Sequence, residues 1–309
     1  MALSPPMYRG RHLRSISLAF AFCACKAQER PSPEPPAAPA ASARETLSPP
    51  SENVPPPVAT TPTVSPLPTA KTGPGLPPEM LCMTEHYPAA AAEGAPGALA
   101  LVVRAWGERV AYEVRPPYRA RNPLRDFVVK DFFDPPYPRG PIAPVTTENF
   151  DPGRVRLESL FRATYGGGRN EVESKLVSVS LGGHLVRVHE RIREPMRRVD
   201  ARVQELFKTD GQLRKYFDHM GGTYNYRNIA GTEQLSTHAF GIAIDLSTYF
   251  SHYWRNAPEV TPQWKNSIPE SLVLAFEAEG FIWGGRWYHY DTMHFEYRPE
   301  LLDERCRGR

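Results

Sequence analysis

No G-x-x-x-x-G-K or G-x-G-x-x-G run occurs in the 309 residues, so the glycine-rich turns that cradle phosphates are missing. Charge of one sign is missing too. The formal balance is +3, too small a surplus to argue for a nucleic-acid partner. The apolar run Ile16 to Ala24 is far too short to span a bilayer. Nor is there a G-x-S-x-G elbow, so Ser236 beside His238 is not read as a nucleophile. Cysteine is scarce: Cys23, Cys25, Cys82 and Cys306 are the whole set.

Proline is the opposite case. Sixteen of the 34 prolines fall between Pro31 and Met80, in a stretch of Pro, Ala, Ser and Thr with few large apolar residues. Such a composition cannot bury enough surface to fold, so residues 26–79 are expected to be a disordered tether. As a flexible coil it spans roughly 40 Å r.m.s.. Ahead of it, Arg9, Arg11 and Arg14 followed by the apolar run have the layout of an export signal over residues 1–25. Phe22-Cys23-Ala24-Cys25 resembles a bacterial lipobox, with Cys25 as the lipidated residue. The expected location is therefore the cell envelope, with the chain lipid-anchored to the membrane and facing the periplasm. The remaining residues, from about Met80 on, suffice for one domain with a core.

The informative residues lie in two stretches. Ser236-Thr237-His238-Ala239-Phe240-Gly241-Ile242-Ala243-Ile244-Asp245 is answered 49 residues later by Asp291-Thr292-Met293-His294-Phe295-Glu296-Tyr297. Gly241 to Ser247 has the alternation of a strand, with Ile242, Ile244 and Leu246 on one face and Asp245 on the other. In the second stretch His294 and Glu296 share a face. If both strands lie in one sheet, His238, Asp245 and His294 converge as two imidazoles and a carboxylate. That is the three-ligand set of a catalytic zinc.

These residues, S-x-H-x-x-G-x-A-x-D followed by D-x-x-H, resemble the VanY-like zinc D-alanyl-D-alanine carboxypeptidases, a family that includes L-alanyl-D-glutamate endolysins. The resemblance covers roughly residues 150 to 302. It implies that His238, Asp245 and His294 bind Zn²⁺ and that Asp291 is the catalytic acid/base. It also implies that Arg227 faces the substrate carbonyl and that Ser236 lines the substrate site. Glu296 is a plausible outer partner of His294. The expected reaction is hydrolysis of an amide bond in peptidoglycan peptides, by a monomer. Which bond is cut is not readable: D-Ala-D-Ala, L-Ala-D-Glu or a cross-link. A non-catalytic zinc-containing wall-binding module and a zinc amidohydrolase with a non-wall substrate are the rival classes.

The surrounding pattern mixes strands and helices without strict alternation, which predicts an α+β fold. The resemblance implies a Hedgehog/DD-peptidase-like domain over 146–309, with a central antiparallel sheet and flanking helices. Residues 80–145 are expected to form a hairpin (Leu99 to Val103, Val110 to Val114) and a Pro- and aromatic-rich extension packed on it. Further expectations are a helix from Val155 to Tyr165 and a hairpin around Gly182-Gly183. A helix from Pro195 is expected to show Arg197, Arg198 and Arg202 to solvent. A capping box, Ser267-Ile268-Pro269-Glu270, is expected to open another helix. With the signal region removed only Cys82 and Cys306 remain, and in an oxidising compartment they are expected to bond. A loop that long is credited with roughly 5 kcal/mol as an upper figure.

Overall fold

The computed structural model describes residues 75–113, 127–256 and 263–306, all within one compact unit, Ser65–Arg309. The signal, Cys25 and nearly all of the tether lie outside the described residues. In chain order the elements are α1 (Pro78–His86), β1 (Ala90–Glu93), β2 (Ala100–Val103), β3 (Glu108–Ala111), α2 (Glu158–Tyr165), α3 (Arg169–Ser174), β4 (Leu176–Leu181) and β5 (His184–His189). They continue with α4 (Arg193–Thr209), β6 (Met220–Gly222), β7 (Ala243–Ser247), α5 (Glu270–Glu277), β8 (Phe281–Trp283), β9 (His294–Tyr297) and α6 (Pro299–Leu302). The fold is α+β, and every strand pairing is antiparallel.

Three sheets form: β1-β2-β3, the hairpin β4-β5, and a four-stranded sheet in the order β6-β7-β9-β8. The last positions the site. Its apolar face carries Ile244, Leu246, Phe281, Trp283 and Phe295, all fully buried. Phe295 stacks on Phe276 of α5 at 4.3 Å between ring centroids. Each such side chain contributes roughly 1.5–3 kcal/mol by leaving water. Met196, Val199 and Val203 of α4 join the same core, as their helical spacing predicts.

The N-terminal segment is continuous with this core, because Met80, Met83 and Tyr87 of α1 belong to the same cluster as Phe295. Cys82 and Cys306 are disulfide-bonded, with Cα atoms 5.3 Å apart. In the described part of the Pro- and aromatic-rich connection, Tyr137 is buried and its hydroxyl donates to Glu277 Oε1 at 2.6 Å.

Some local readings need correction. The capping box does not form, since Pro269 caps α5 without a side-chain hydrogen bond. Asn266 Oδ1 instead accepts from the Ile268 N–H at 2.7 Å, while Ser267 meets His252 Nε2 at 2.9 Å. The arginine face of α4 is not simply solvated. Arg198 and Arg202 both pair with Glu279, Arg202 at 2.7 Å, and this ties α4 to the end of α5.

Gly241 shows why the first motif needs glycine. It closes a short 3-10 turn, Thr237–Phe240, in the left-handed conformation at φ 65°, and a Cβ there would stand 2.7 Å from Leu176 Cδ2 and 3.1 Å from His189 N. Gly241→Ala is expected to lower stability by about 1–3 kcal/mol, measured as the shift of the urea midpoint at constant slope.

Candidate metal centre

Cross-strand pairing brings the ligands together. Asp245 on β7 and His294 on β9 are direct register partners, so their side chains leave the sheet side by side. On its other edge Asp245 faces Gly222 of β6, and a Cβ on neighbouring Gly221 would stand 2.8 Å from Asp245 Cβ. His238 arrives from the 3-10 turn. That turn is capped by Ser236 Oγ, which accepts the His238 N–H at 3.3 Å, and is closed by Gly241 N–H donating to the His238 carbonyl at 3.0 Å.

The three inward atoms form a tight triangle. His238 Nε2 lies 3.2 Å from Asp245 Oδ1 and 3.2 Å from His294 Nδ1, and His294 Nδ1 lies 3.0 Å from Asp245 Oδ1. The outer nitrogens set the tautomers. His238 Nδ1 is 2.8 Å from the Thr223 carbonyl, which can only accept, and His294 Nε2 is 3.1 Å from Glu296 Oε2. With both outer N–H groups donating outward and both imidazoles neutral, two lone pairs and a carboxylate oxygen would face one another at repulsive range, a repulsion that a proton on His294 relieves in the metal-free site. A cation between them resolves the repulsion. Ligand atoms about 2.0–2.1 Å from a tetrahedral zinc stand about 3.3 Å apart, so the residues fit that metal.

Electrostatics show the same crowding. Burial pushes the Asp245 carboxyl up, but His238 and His294 outweigh it and hold it well below the usual carboxylate range. Burial lowers the basicity of His294, yet its bonds to Asp245 and Glu296 lift it to about 10. Without metal this imidazole keeps a proton that a metal must displace.

Asp291 sits just before β9. Its N–H donates to the Gly284 carbonyl at 3.0 Å and its carbonyl accepts from His294 N–H at 3.1 Å. Glycine at 284 is needed here, because a Cβ would stand 2.5 Å from the Asp291 carbonyl oxygen. Asp291 Oδ1 is buried and has no hydrogen-bond partner. Burial first, and then the Asp245 charge, raise its carboxyl to about 6, against the pull of His294 and Arg154.

The ligands and Asp291 line a cavity of about 100 Å³ with Arg154, Arg227, Ser236, Tyr253 and Trp287. Two larger clefts, of about 920 and 1000 Å³, lie elsewhere, but neither gathers metal-ligating side chains. Among the described residues one further cluster of ligand types occurs, Cys82, His86, Asp303 and Cys306, but its two sulfurs are bonded to each other.

Arg227 reaches the cavity wall from the base of a short ribbon in which Ser236 N–H donates to the Arg227 carbonyl at 3.0 Å. The Ser236 hydroxyl is engaged as a turn cap. Glu296 does more than steady His294. It also accepts from Thr237 Oγ1 at 3.0 Å, Arg156 Nη1 at 3.4 Å and Arg298 Nη1 at 3.2 Å. Despite burial, Arg156 and His294 keep it ionised far down the pH scale. The sequence reading missed Arg156, Arg298 and the Thr223 carbonyl. The spacing Glu296-x-Arg298, running from β9 into the N-cap of α6, was the available signal. The nearby His289 is not part of the triangle; its Nδ1 lies 2.6 Å from Asp151 Oδ2.

Residues 230–297, which carry all three ligand-type side chains and Asp291 but begin just after Arg227, match the family model described as D-alanyl-D-alanine carboxypeptidase, the family that the two motifs resemble.

Proposed function

We propose that the chain is a zinc-dependent peptidase that hydrolyses an amide bond of peptidoglycan stem peptides or cross-links. The observation that carries this reading is the triangle of inward nitrogen and oxygen atoms 3.0–3.2 Å apart beside the unpartnered carboxylate oxygen of Asp291. The family match over residues 230–297 supports it.

His238 Nε2, Asp245 Oδ1 and His294 Nδ1 would hold the metal. When bound, zinc supplies Lewis-acid activation of water near neutral pH. The Asp291 carboxylate, on the cavity wall and with Oδ1 unpartnered, takes a proton from the attacking water and returns it to the leaving nitrogen. Arg227, on the cavity wall and bonded to the Asn228 carbonyl at 3.3 Å, meets the carbonyl oxygen as charge develops there, a contribution typically of about 3–4 kcal/mol. Thr223 and Glu296 hold the two imidazoles in register throughout.

The reading is tested by mass spectrometry of purified peptidoglycan incubated with the protein. New termini identify the bond cut. Their absence with a zinc-loaded protein favours a wall-binding module or a non-wall substrate instead. Elemental analysis is expected to give about one zinc per chain and to find His238→Ala and His294→Ala depleted of it; full occupancy in both would remove the metal site. Attachment to the membrane through Cys25 belongs to the same proposal. Cys25→Ala is expected to abolish palmitate labelling and release the chain from the membrane fraction, and unchanged labelling would show the lipobox to be misread.

A further inference from the structure

The turn at residues 150–154 is fixed from several sides. Tyr288 N–H donates to the Phe150 carbonyl at 2.8 Å. His289 contacts the Asp151 carboxylate with its backbone N–H at 2.9 Å and its Nδ1 at 2.6 Å. Trp287 Nε1 donates to the Pro152 carbonyl at 2.8 Å, and Arg298 Nη1 to the Gly153 carbonyl at 2.7 Å. Gly153 is left-handed at φ 82°, and a Cβ there would stand 2.7 Å from Leu301 Cδ1. The product of all this anchoring is the placement of the next residue, Arg154, on the wall of the metal cavity.

Its guanidinium lies 4.4 Å from the Trp287 ring, and that ring is 5.7 Å from the His294 imidazole. Stacking holds the group still, yet its donors are poorly used. Among the described residues its guanidinium makes one hydrogen bond, Nη2 to the His289 carbonyl at 3.4 Å, and Nε is buried without a partner there. Arg156, two residues on, differs because its charge is engaged by Glu296. A buried N–H left unpaired is a cost that an incoming acceptor relieves. The guanidinium fork matches a carboxylate in two parallel bonds. The cavity itself, at about 100 Å³, is far below the ~300–1,000 Å³ of sites that enclose drug-sized ligands, so it suits the end of a chain.

We propose that Arg154 is a specificity-determining residue whose guanidinium, stacked on Trp287, receives the terminal carboxylate of the peptide and so selects free chain ends. The assignment rests on the amide-hydrolase reading of the metal centre. It separates carboxypeptidase from endopeptidase action, which the motifs leave open.

The test uses the zinc-loaded full chain carrying Asp291→Asn, which blocks turnover. It is titrated calorimetrically with N-acetyl-D-Ala-D-Ala and with the C-terminal amide of the same dipeptide. The free acid is expected to bind at least tenfold more tightly than the amide. Adding Arg154→Gln is expected to bring that ratio near one while leaving amide affinity within about twofold, and Arg154→Lys to keep part of the preference. A preference due to the cation alone would survive in Arg154→Gln and overturn the proposal. Equal binding of acid and amide with Arg154 present, equal weakening of both by Arg154→Gln, or binding of neither would also overturn it. Hydrolysis of the free acid by the unmodified chain is followed in parallel. Arg154-dependent selectivity without turnover sinks the hydrolase reading and leaves this assignment standing.

Discussion

Asp291→Ala is expected to lower turnover by about 10²–10⁴-fold, the usual weight of a general acid/base, while zinc content stays near one per chain. The backbone of Asp291 is fixed on both sides by Gly284 and His294, so truncating the side chain leaves the ligands in place. The carboxylate meanwhile belongs to the cavity wall and has one oxygen without a partner. Its carboxyl, raised to about 6, must be ionised to accept a proton, so activity is lost as pH falls through that value. Zinc pulls a nearby carboxyl downward, so the acid limb of the kcat profile should lie at or below about pH 6 and vanish from whatever activity Asp291→Ala retains. Near-wild-type turnover in the variant would remove Asp291 from the reaction. Glu296 would not then be a ready substitute, because both of its oxygens are engaged by His294, Thr237, Arg156 and Arg298.

Glu296→Gln is expected to cost about 3–5 kcal/mol of stability and to weaken zinc binding about 10–100-fold. The stability loss arises because the change leaves the buried cation Arg156 without its acid partner, with Arg298 retaining only Glu300, and a single buried charge left behind is far costlier than the pair. The affinity loss arises because the amide no longer draws the Nε2 proton of His294 outward. Denaturant unfolding of the metal-free protein isolates the first effect, and competition with a chelator isolates the second. A variant as stable as the parent would mean that water reaches Arg156 and Arg298 in the fold.

Of the three ligands, His238, on a 3-10 turn, was legible only from its spacing to Asp245. Asp245 and His294 were legible because they lie on strands whose alternation is plain: Ile242, Ile244 and Leu246 around the first, and Phe295 between His294 and Glu296. The hairpin around Gly182-Gly183 was legible for the same reason. Other elements carried no such contrast. β1 is Ala-Ala-Ala-Glu and β6 is Met-Gly-Gly, so neither shows a period. α3 buries only Val172, and its helix is hidden in a polar run. The capping box failed because α5 begins only at Glu270, with Pro269 and not Ser267 in the N-cap position. Around the metal, what the sequence concealed was distance: Arg156 meets Glu296 across 140 residues, and Thr223 contributes a backbone carbonyl, which any residue type supplies.

The bond between Cys82 and Cys306 also decides how this protein bears load. The two residues are 224 apart in sequence, and every strand and the metal centre lie between them. Tension applied to the two ends of the chain therefore runs through two sulfur atoms and bypasses the folded body. Of the described residues, only those before Cys82 lie outside the closed loop and are stretched. Once the bond is reduced, the same pull must be resisted by hydrogen bonds between short strands, and the centre that depends on β7 lying against β9 comes under strain.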